Sequence, residues 1–483
     1  MISLPIWLVV IIAALATFAF LNNLCLPAAR WFLRRRVNRV IEDVNARLSL
    51  ELPTFQITKR KVLIDRLTYD PEVMAIVDKA AAERDLPRSA IMANVATYAR
   101  EMVPAFNAYF YFRAGIWIFK RILRTFYRVR LGRTDEKAYE ALSPNTSIVL
   151  IMNHRSNVDY LLVTYLASRN TTLSVGAGEW ARIWPFSQLM RIAGAYILRR
   201  DAGDPVYRKV LERYVQMATE ACVPHAVFAE GQLSRDGRLN EPKYGMLGYI
   251  TKTFDPAGET DIMFVPVGVN YDRVLEAETL TQNVDTDFRG RGAKFVFGSF
   301  FSTAFLNLKF ALANRETLLG TASASFGSPI SFKAWLKKNN VDFRNLEKPE
   351  RFKCVEHLGK DIMAEISNVI PALPVPIIAN VLCRKNRPMN ELEIKADTQK
   401  LIEDLVACGV HIVMLEGSED ASVDEALKAL FKRDLVSLNT DGLVTINPER
   451  VKLLRFYANS IAHFPPANLD FPKEISAGES TQQ

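Results

Sequence analysis

Between residues 147 and 326 the chain alternates short apolar runs with longer helical stretches, and this rhythm restricts the fold more than any other feature. Residues 147–152, 195–198, 226–229, 262–269 and 321–326 read as strands. Residues 156–168 and 204–222 read as helices between them. Strands that alternate with helices predict an α/β fold, a mainly parallel sheet with flanking helices.

The flanks differ from this core. Residues 26–140 and 336–464 read as helical, and residues 465–483, rich in Pro, Gly, Ser and Gln, as a disordered tail. The α/β domain is thus expected over residues 141–335. No residue from Met1 to Ala29 carries a side-chain charge, and the apolar stretch from Leu4 to Leu24 suffices to cross a bilayer. A transmembrane anchor is expected at residues 1–25. Arg30, Arg34, Arg35, Arg36 and Arg39 follow it, which puts the larger C-terminal part on the cytoplasmic side. A cleaved signal peptide would instead carry its basic residues before a shorter apolar core.

From Phe106 to Arg130 aromatic and basic residues alternate, including Trp117, Lys120, Arg121 and Arg124. That composition suits either a helix on a membrane surface or a core helix with a solvated basic edge. Residues 297–313, rich in Phe and Leu, read either as a second membrane-contacting segment or as a core helix. The net charge of +8 favours anionic partners such as phosphorylated metabolites, coenzyme A and acidic lipid headgroups. No nucleic-acid-binding module accompanies it, so no nucleic acid partner is expected. Five scattered cysteines form no C-x-x-C pair and read as structural.

Four constellations carry chemistry. The first, from Asn153 to Asp159, follows an apolar strand and opens a helix. A histidine (His154) at the carboxyl end of such a strand, with Asp159 on the first turn or two of the helix and able to reach back, has the makings of an oriented general base. The second runs from Gly194 to the pair Arg199 and Arg200, whose planar forks suit phosphate. The third contains Glu230, Gly231, Ser234 and Arg235, with Lys243 just beyond. The fourth is an apolar strand with Pro266, which leads to Asn270 and Tyr271. Gly176 to Ala181 fits a dinucleotide fingerprint loosely, but Trp180 stands where the turn should enter its helix. No G-x-S-x-G elbow, P-loop or H-E-x-x-H is present.

Taken in order, the four blocks resemble those of the glycerolipid acyltransferase family, with His154 to Asp159 matching its H-x4-D motif. Residues 326–330 resemble a short segment found after the fourth block. Within the superfamily the chain is most similar to the membrane-bound glycerol-3-phosphate and dihydroxyacetone-phosphate acyltransferases. That likeness reaches the flanks, at Ala99 to Met102 and at Phe456 to His463. The resemblance implies that His154 deprotonates an acceptor hydroxyl while Asp159 orients it. The hydroxyl then attacks an acyl thioester directly. Arg199, Arg200, Arg235 and Lys243 would bind phosphate, and Glu230, Gly231, Ser234 and Pro266 would shape the acceptor site.

It implies no metal and no bound cofactor. Acyl-CoA or acyl carrier protein would serve as co-substrate, with membrane lipid as surroundings. The expected reaction is acylation of the 1-hydroxyl of glycerol 3-phosphate in phospholipid biosynthesis. Leu233 stands where the larger enzymes of the family carry an arginine that holds the acceptor phosphate. That departure leaves two other readings open: an acyltransferase for dihydroxyacetone phosphate or a lysophospholipid, and a non-catalytic, membrane-tethered lipid-binding relative. His225, His357, His411 and His463 match no catalytic position and read as structural.

Overall fold

The computed structural model describes residues 53–107, 110–143, 145–168, 173–177, 186–199, 203–282, 319–343, 345–414 and 419–469. The expected membrane span, the basic cluster behind it, Arg200 and the segment 297–313 lie outside these residues. Among the described residues no helix is long and apolar enough to cross a membrane.

The sheet contains β1 (Arg128–Thr134), β2 (Thr146–Met152), β3 (Ser174–Ala177), β4 (Tyr196–Ile197), β5 (His225–Phe228), β6 (Asp261–Tyr271), β7 (Thr321–Phe326) and β8 (Ile330–Ser331). Its order is β1-β7-β6-β2-β5-β3-β4, with β8 also on β6. The pairs from β6 to β4 run parallel, whereas β7 and β8 are antiparallel to β6. The expectation of a mainly parallel sheet thus holds, with an antiparallel departure on one side. β2 is buried along its whole length because layers cover both faces.

Two strands fall outside the expected set. β1 lies inside the segment read as helical, and it pairs in parallel with β7 from Arg128↔Thr321 onward. It is an edge strand whose arginines blunt its free side, so its charge conceals its period of two. The sheet therefore starts at residue 128, upstream of the expected boundary at 141. β3 holds Gly176, and a Cβ there would lie 2.7 Å from Leu198 Cδ1. This glycine serves close packing between β3 and β4, where the dinucleotide pattern had placed a turn. In the C-terminal region β9 (Val436–Leu438) and β10 (Val444–Ile446) form an antiparallel hairpin where helix was expected.

The N-terminal helices Pro71–Arg84 and Arg88–Met102 pack on the helix Pro205–Glu220. Asp70 caps the first of them through the Glu72 and Val73 amides and accepts Arg213 Nη2 at 2.9 Å. Asp204 caps Pro205–Glu220 and accepts Arg84 and Tyr98. Each cap thus also ties the N-terminal helices to the helix Pro205–Glu220.

In the C-terminal region, helix Lys348–Val369 lies on β6. Helix Pro374–Lys385 is buried from Pro374 to Cys383, apolar all round except for Asn380. Asp272, at the exit of β6, accepts the Thr321 amide (2.7 Å) and the Val375 amide (3.1 Å), joining β7 and this helix to one carboxylate. Residues 465–469 were expected to open a disordered tail. Instead Ala467 and Leu469 are buried, and Asn380 Nδ2 donates to Ala467 O at 2.7 Å. Apolar side chains hold this stretch against the buried helix.

Candidate active site

Parallel pairing brings the carboxyl ends of β2 and β5 to one level, with Met152 opposite Phe228. The next residues of both strands form the site, as expected for an open α/β sheet. Asn153 turns the chain out of β2 while its amide pairs twice with the backbone of Val269, at 2.9 and 2.7 Å. His154 follows. Its ring stacks on Phe228 with centroids 3.8 Å apart, and its Nδ1 lies 2.9 Å from Asp159 Oδ2.

Asp159 is fully buried and opens the helix Asp159–Ala167. Its Oδ2 also accepts the amides of Arg155 (2.7 Å) and Ser156 (3.0 Å). Its Oδ1 accepts the phenol of Tyr271 at 2.7 Å. Burial, and then the neighbouring Asp159 carboxylate, push the Tyr271 phenol well above its ordinary range, so it remains a donor. With acceptor oxygens on one side, His154 Nδ1 carries the proton and Nε2 the lone pair. Nε2 has no partner among the described residues, and 15% of the side chain is exposed. The pair is therefore arranged to take a proton from an incoming hydroxyl.

The walls of the site are also hydrogen-bonded. Glu230 is buried and accepts the His154 amide at 3.0 Å through Oε1. Its Oε2 accepts the amide of Asn240 (2.9 Å) and its side chain (2.6 Å). Ser156 Oγ and Asn157 Nδ2 donate to Glu276 at 2.8 and 3.1 Å. Burial pushes the Glu276 carboxyl up, and the Asp159 charge adds to the effect. Gly231 has φ +67°, and a Cβ there would press on Lys243 Cγ at 3.1 Å. Ser234 is buried and spends its hydroxyl on the Arg238 carbonyl and the Gly237 amide. Arg235 and Lys243 are exposed.

Two expected site residues sit differently. Arg199 is bound on two edges by Glu101, at 2.9 Å each, and lies 4.7 Å from the Tyr98 ring centroid. Three strand spacings separate β4 from β2, or about 14 Å, so Arg199 stands apart from His154 along the sheet edge. Pro266 is buried within β6 at the point where its partner changes from β8 to β7. There a missing N–H costs no ladder bond, and its carbonyl accepts the Gly327 amide at 2.8 Å. Its place is in the sheet, paired with Ile151 of β2. Asn153 and Tyr271 stood in expected blocks without a role of their own, and Phe228 and Glu276 were not singled out. The first three end strands or follow them directly, and polar or aromatic residues at strand exits are the signal that could have marked them.

Among the described residues no three His, Cys, Asp or Glu side chains converge as a metal ion would need. The four described cysteines are unpaired.

Comparison with known proteins agrees with this geometry. A family model described as acyltransferase matches residues 133–270, and one described as glycerol-3-phosphate acyltransferase C-terminal region matches residues 305–465. β6 and β7 pair across the gap between them, so both regions build one sheet. A protein named glycerol-3-phosphate acyltransferase from Pseudomonas entomophila (strain L48) is 26% identical over 431 residues, 84% of this chain and 49% of its own length. One of the same name from Pseudomonas putida (strain KT2440) is 24% identical over 429 residues, again 84% and 49%. Another, from Pseudomonas syringae pv. tomato (strain DC3000), is 27% identical over 341 residues, 67% of this chain and 39% of its own length. The chain spans about half the length of the first two relatives. Its acyltransferase region, C-terminal region and extended match make this chain similar to the glycerol-3-phosphate acyltransferases.

Proposed function

We propose that the chain transfers a fatty acyl group from an acyl thioester to the 1-hydroxyl of glycerol 3-phosphate. The observation that carries this reading is the His154–Asp159 pair, with Nδ1 bound and Nε2 free. His154 Nε2 takes the hydroxyl proton as the oxygen attacks the thioester carbonyl. The new C–O bond forms, the C–S bond breaks, and the imidazolium returns the proton to the departing thiolate. Asp159 and Tyr271 hold the imidazole through this cycle. Arg235, Arg238 and Lys243 supply exposed cations for the acceptor phosphate or the donor. Arg199 would have to exchange Glu101 for a phosphate to join them.

The donor is acyl-CoA or acyl carrier protein. In this reading the enzyme sits on a membrane through residues 1–25, with its catalytic part cytoplasmic. The helix Ile116–Phe126, which exposes Trp117, Arg121 and Arg124, suits the same surface. Leu233, half-buried in the third block, favours a second reading in which the acceptor is dihydroxyacetone phosphate or a lysophospholipid.

The test is acyl transfer by membranes that contain the full chain, with labelled acceptors and both donors, beside His154→Ala. Product from glycerol 3-phosphate that falls by at least about 10² in the variant supports the proposal. Product from another acceptor alone would move it to the second reading. No product from any acceptor would point to a binding role.

A further inference from the structure

Arg155, next to the catalytic histidine, has a side chain that the reaction itself does not use. It is 1% exposed and has no ion-pair partner among the described residues. Its guanidinium donates to three backbone carbonyls instead: Gly237 O, Arg238 O at 3.5 Å and Ser460 O at 3.3 Å. A buried cation is tolerated when it is hydrogen-bonded in this way. Burial pulls the guanidinium below its ordinary range, and nearby Glu230, Asp159 and Asp236 offset part of that cost. The Arg155 amide meanwhile donates to Asp159. One residue thus joins the histidine loop, the third-block turn and the C-terminal segment.

That turn is held from every side. The Ser234 amide donates to His154 O at 3.1 Å. Asn459 Nδ2 donates to Asp236 O at 2.8 Å. Gly237 has φ +85°, and a Cβ there would lie 1.8 Å from Phe456 O. The turn nevertheless displays two exposed side chains with no partner among the described residues, Arg235 and Arg238. Both follow Leu233, which replaces the expected arginine, by two and five residues.

We propose that Arg155 is a positioning residue for acceptor binding. It locks the turn bearing Arg235 and Arg238 to the end of the helix Val451–Asn459, so phosphate affinity depends on the C-terminal segment. This rests on the acyltransferase reading. It differs from that reading in assigning Arg155 to acceptor affinity and leaving the chemical step to His154.

The test measures binding of sn-glycerol 3-phosphate to the full chain by calorimetry, and acceptor and donor KM beside kcat. Arg155→Met is expected to raise acceptor Kd and KM about tenfold, the worth of one hydrogen bond to a charged group, with donor KM unchanged. Arg155→Lys recovers part of the loss, because an ammonium meets fewer of the three carbonyls at once. Asn459→Ala shifts acceptor Kd in the same direction by about threefold, a neutral bond's worth, and keeps the question open to test if Arg155→Met does not fold. Because both act on one turn, the double variant Arg155→Lys/Asn459→Ala departs from additivity. A fall in kcat with acceptor Kd unchanged would overturn the proposal, as would equal rises in donor and acceptor KM. A wild-type chain that binds the acceptor yet transfers nothing would refute the acyltransferase reading and leave this inference to be decided by Kd.

Discussion

The Tyr271 phenol donates to Asp159 Oδ1 at 2.7 Å, from the last residue of β6 to the first residue of the helix behind His154. It leaves Oδ2 to the imidazole and two amides, so Tyr271 fixes which oxygen serves the histidine. A hydrogen bond to a charged acceptor is worth about 1.5–3 kcal/mol. Tyr271→Phe is therefore expected to lower kcat about ten- to a hundredfold with little change in acceptor KM. Asp159→Asn should cost more, on the order of 10³, because an amide meets three donors with an N–H of its own or presents the wrong tautomer partner. Steady-state kinetics of the two variants beside wild type checks the order.

Glu230 holds the two sides of the site together, accepting the His154 amide on one oxygen and Asn240 on the other. Glu230→Gln sets an amide N–H against a donor on at least one side. Activity should fall more than about tenfold, and stability by about 1–3 kcal/mol, the cost of a buried polar group left without its partner. Glu230→Ala should lose at least as much, since it strands every donor. Kinetics together with denaturant midpoints distinguishes this from a purely catalytic loss, which would leave the midpoints unmoved.

What the sequence made legible was what local pattern encodes. The strand ending at Met152, the helix beginning near Asp159 and the pairing of His154 with Asp159 all follow from an apolar run, a polar turn and an i, i+5 spacing. β1 was hidden because its arginines continue the basic pattern of the preceding helix, and its strand character comes from a partner almost two hundred residues away. Nothing local marks Arg155, since its carbonyl partners at Gly237 and Ser460 are distant in sequence. Arg199 does lie beyond a short strand, as expected. Its capture by Glu101 depends on the packing of an N-terminal helix that no local pattern reveals.

Gly268, in the fourth block, serves helix docking. A Cβ there would lie 2.5 Å from Ile370 N and 2.6 Å from Ile370 Cα, where the helix Lys348–Val369 ends against β6. Neither backbone can yield independently. Gly268→Ala is expected to destabilise by at least about 1–3 kcal/mol, the usual cost of overpacking. Gly248, in the helix Gly245–Thr251, has open space at the same distance. Gly248→Ala should be neutral or stabilising by up to about 1 kcal/mol. Urea midpoints of the two variants, compared directly, test whether contact at Gly268 is decisive.

His225 gives the fold a dependence on acid that can be traced to one ring. It is fully buried in β5, with Nε2 3.4 Å from Thr219 Oγ1 and no partner for Nδ1 among the described residues. Burial pushes it down from its ordinary 6.5 to about 4. Above pH 6.5 the ring is neutral in folded and unfolded chains alike, so its contribution is intact. As pH falls from 6.5 towards 4 the unfolded chain takes up a proton that the fold refuses, and stability drops by about 1.4 kcal/mol per pH unit. Between pH 7 and pH 5 that amounts to about 2 kcal/mol. His463, also pushed down to about 4 by burial and by the nearby Arg155, adds a similar slope. His225→Gln retains a hydrogen-bonding group for Thr219 and cannot titrate. Its loss of stability between pH 7 and pH 5 should be smaller than that of wild type by about 2 kcal/mol, as read from urea midpoints. Equal losses in the two proteins would mean that His225 gains its proton as easily in the folded chain as in the unfolded one.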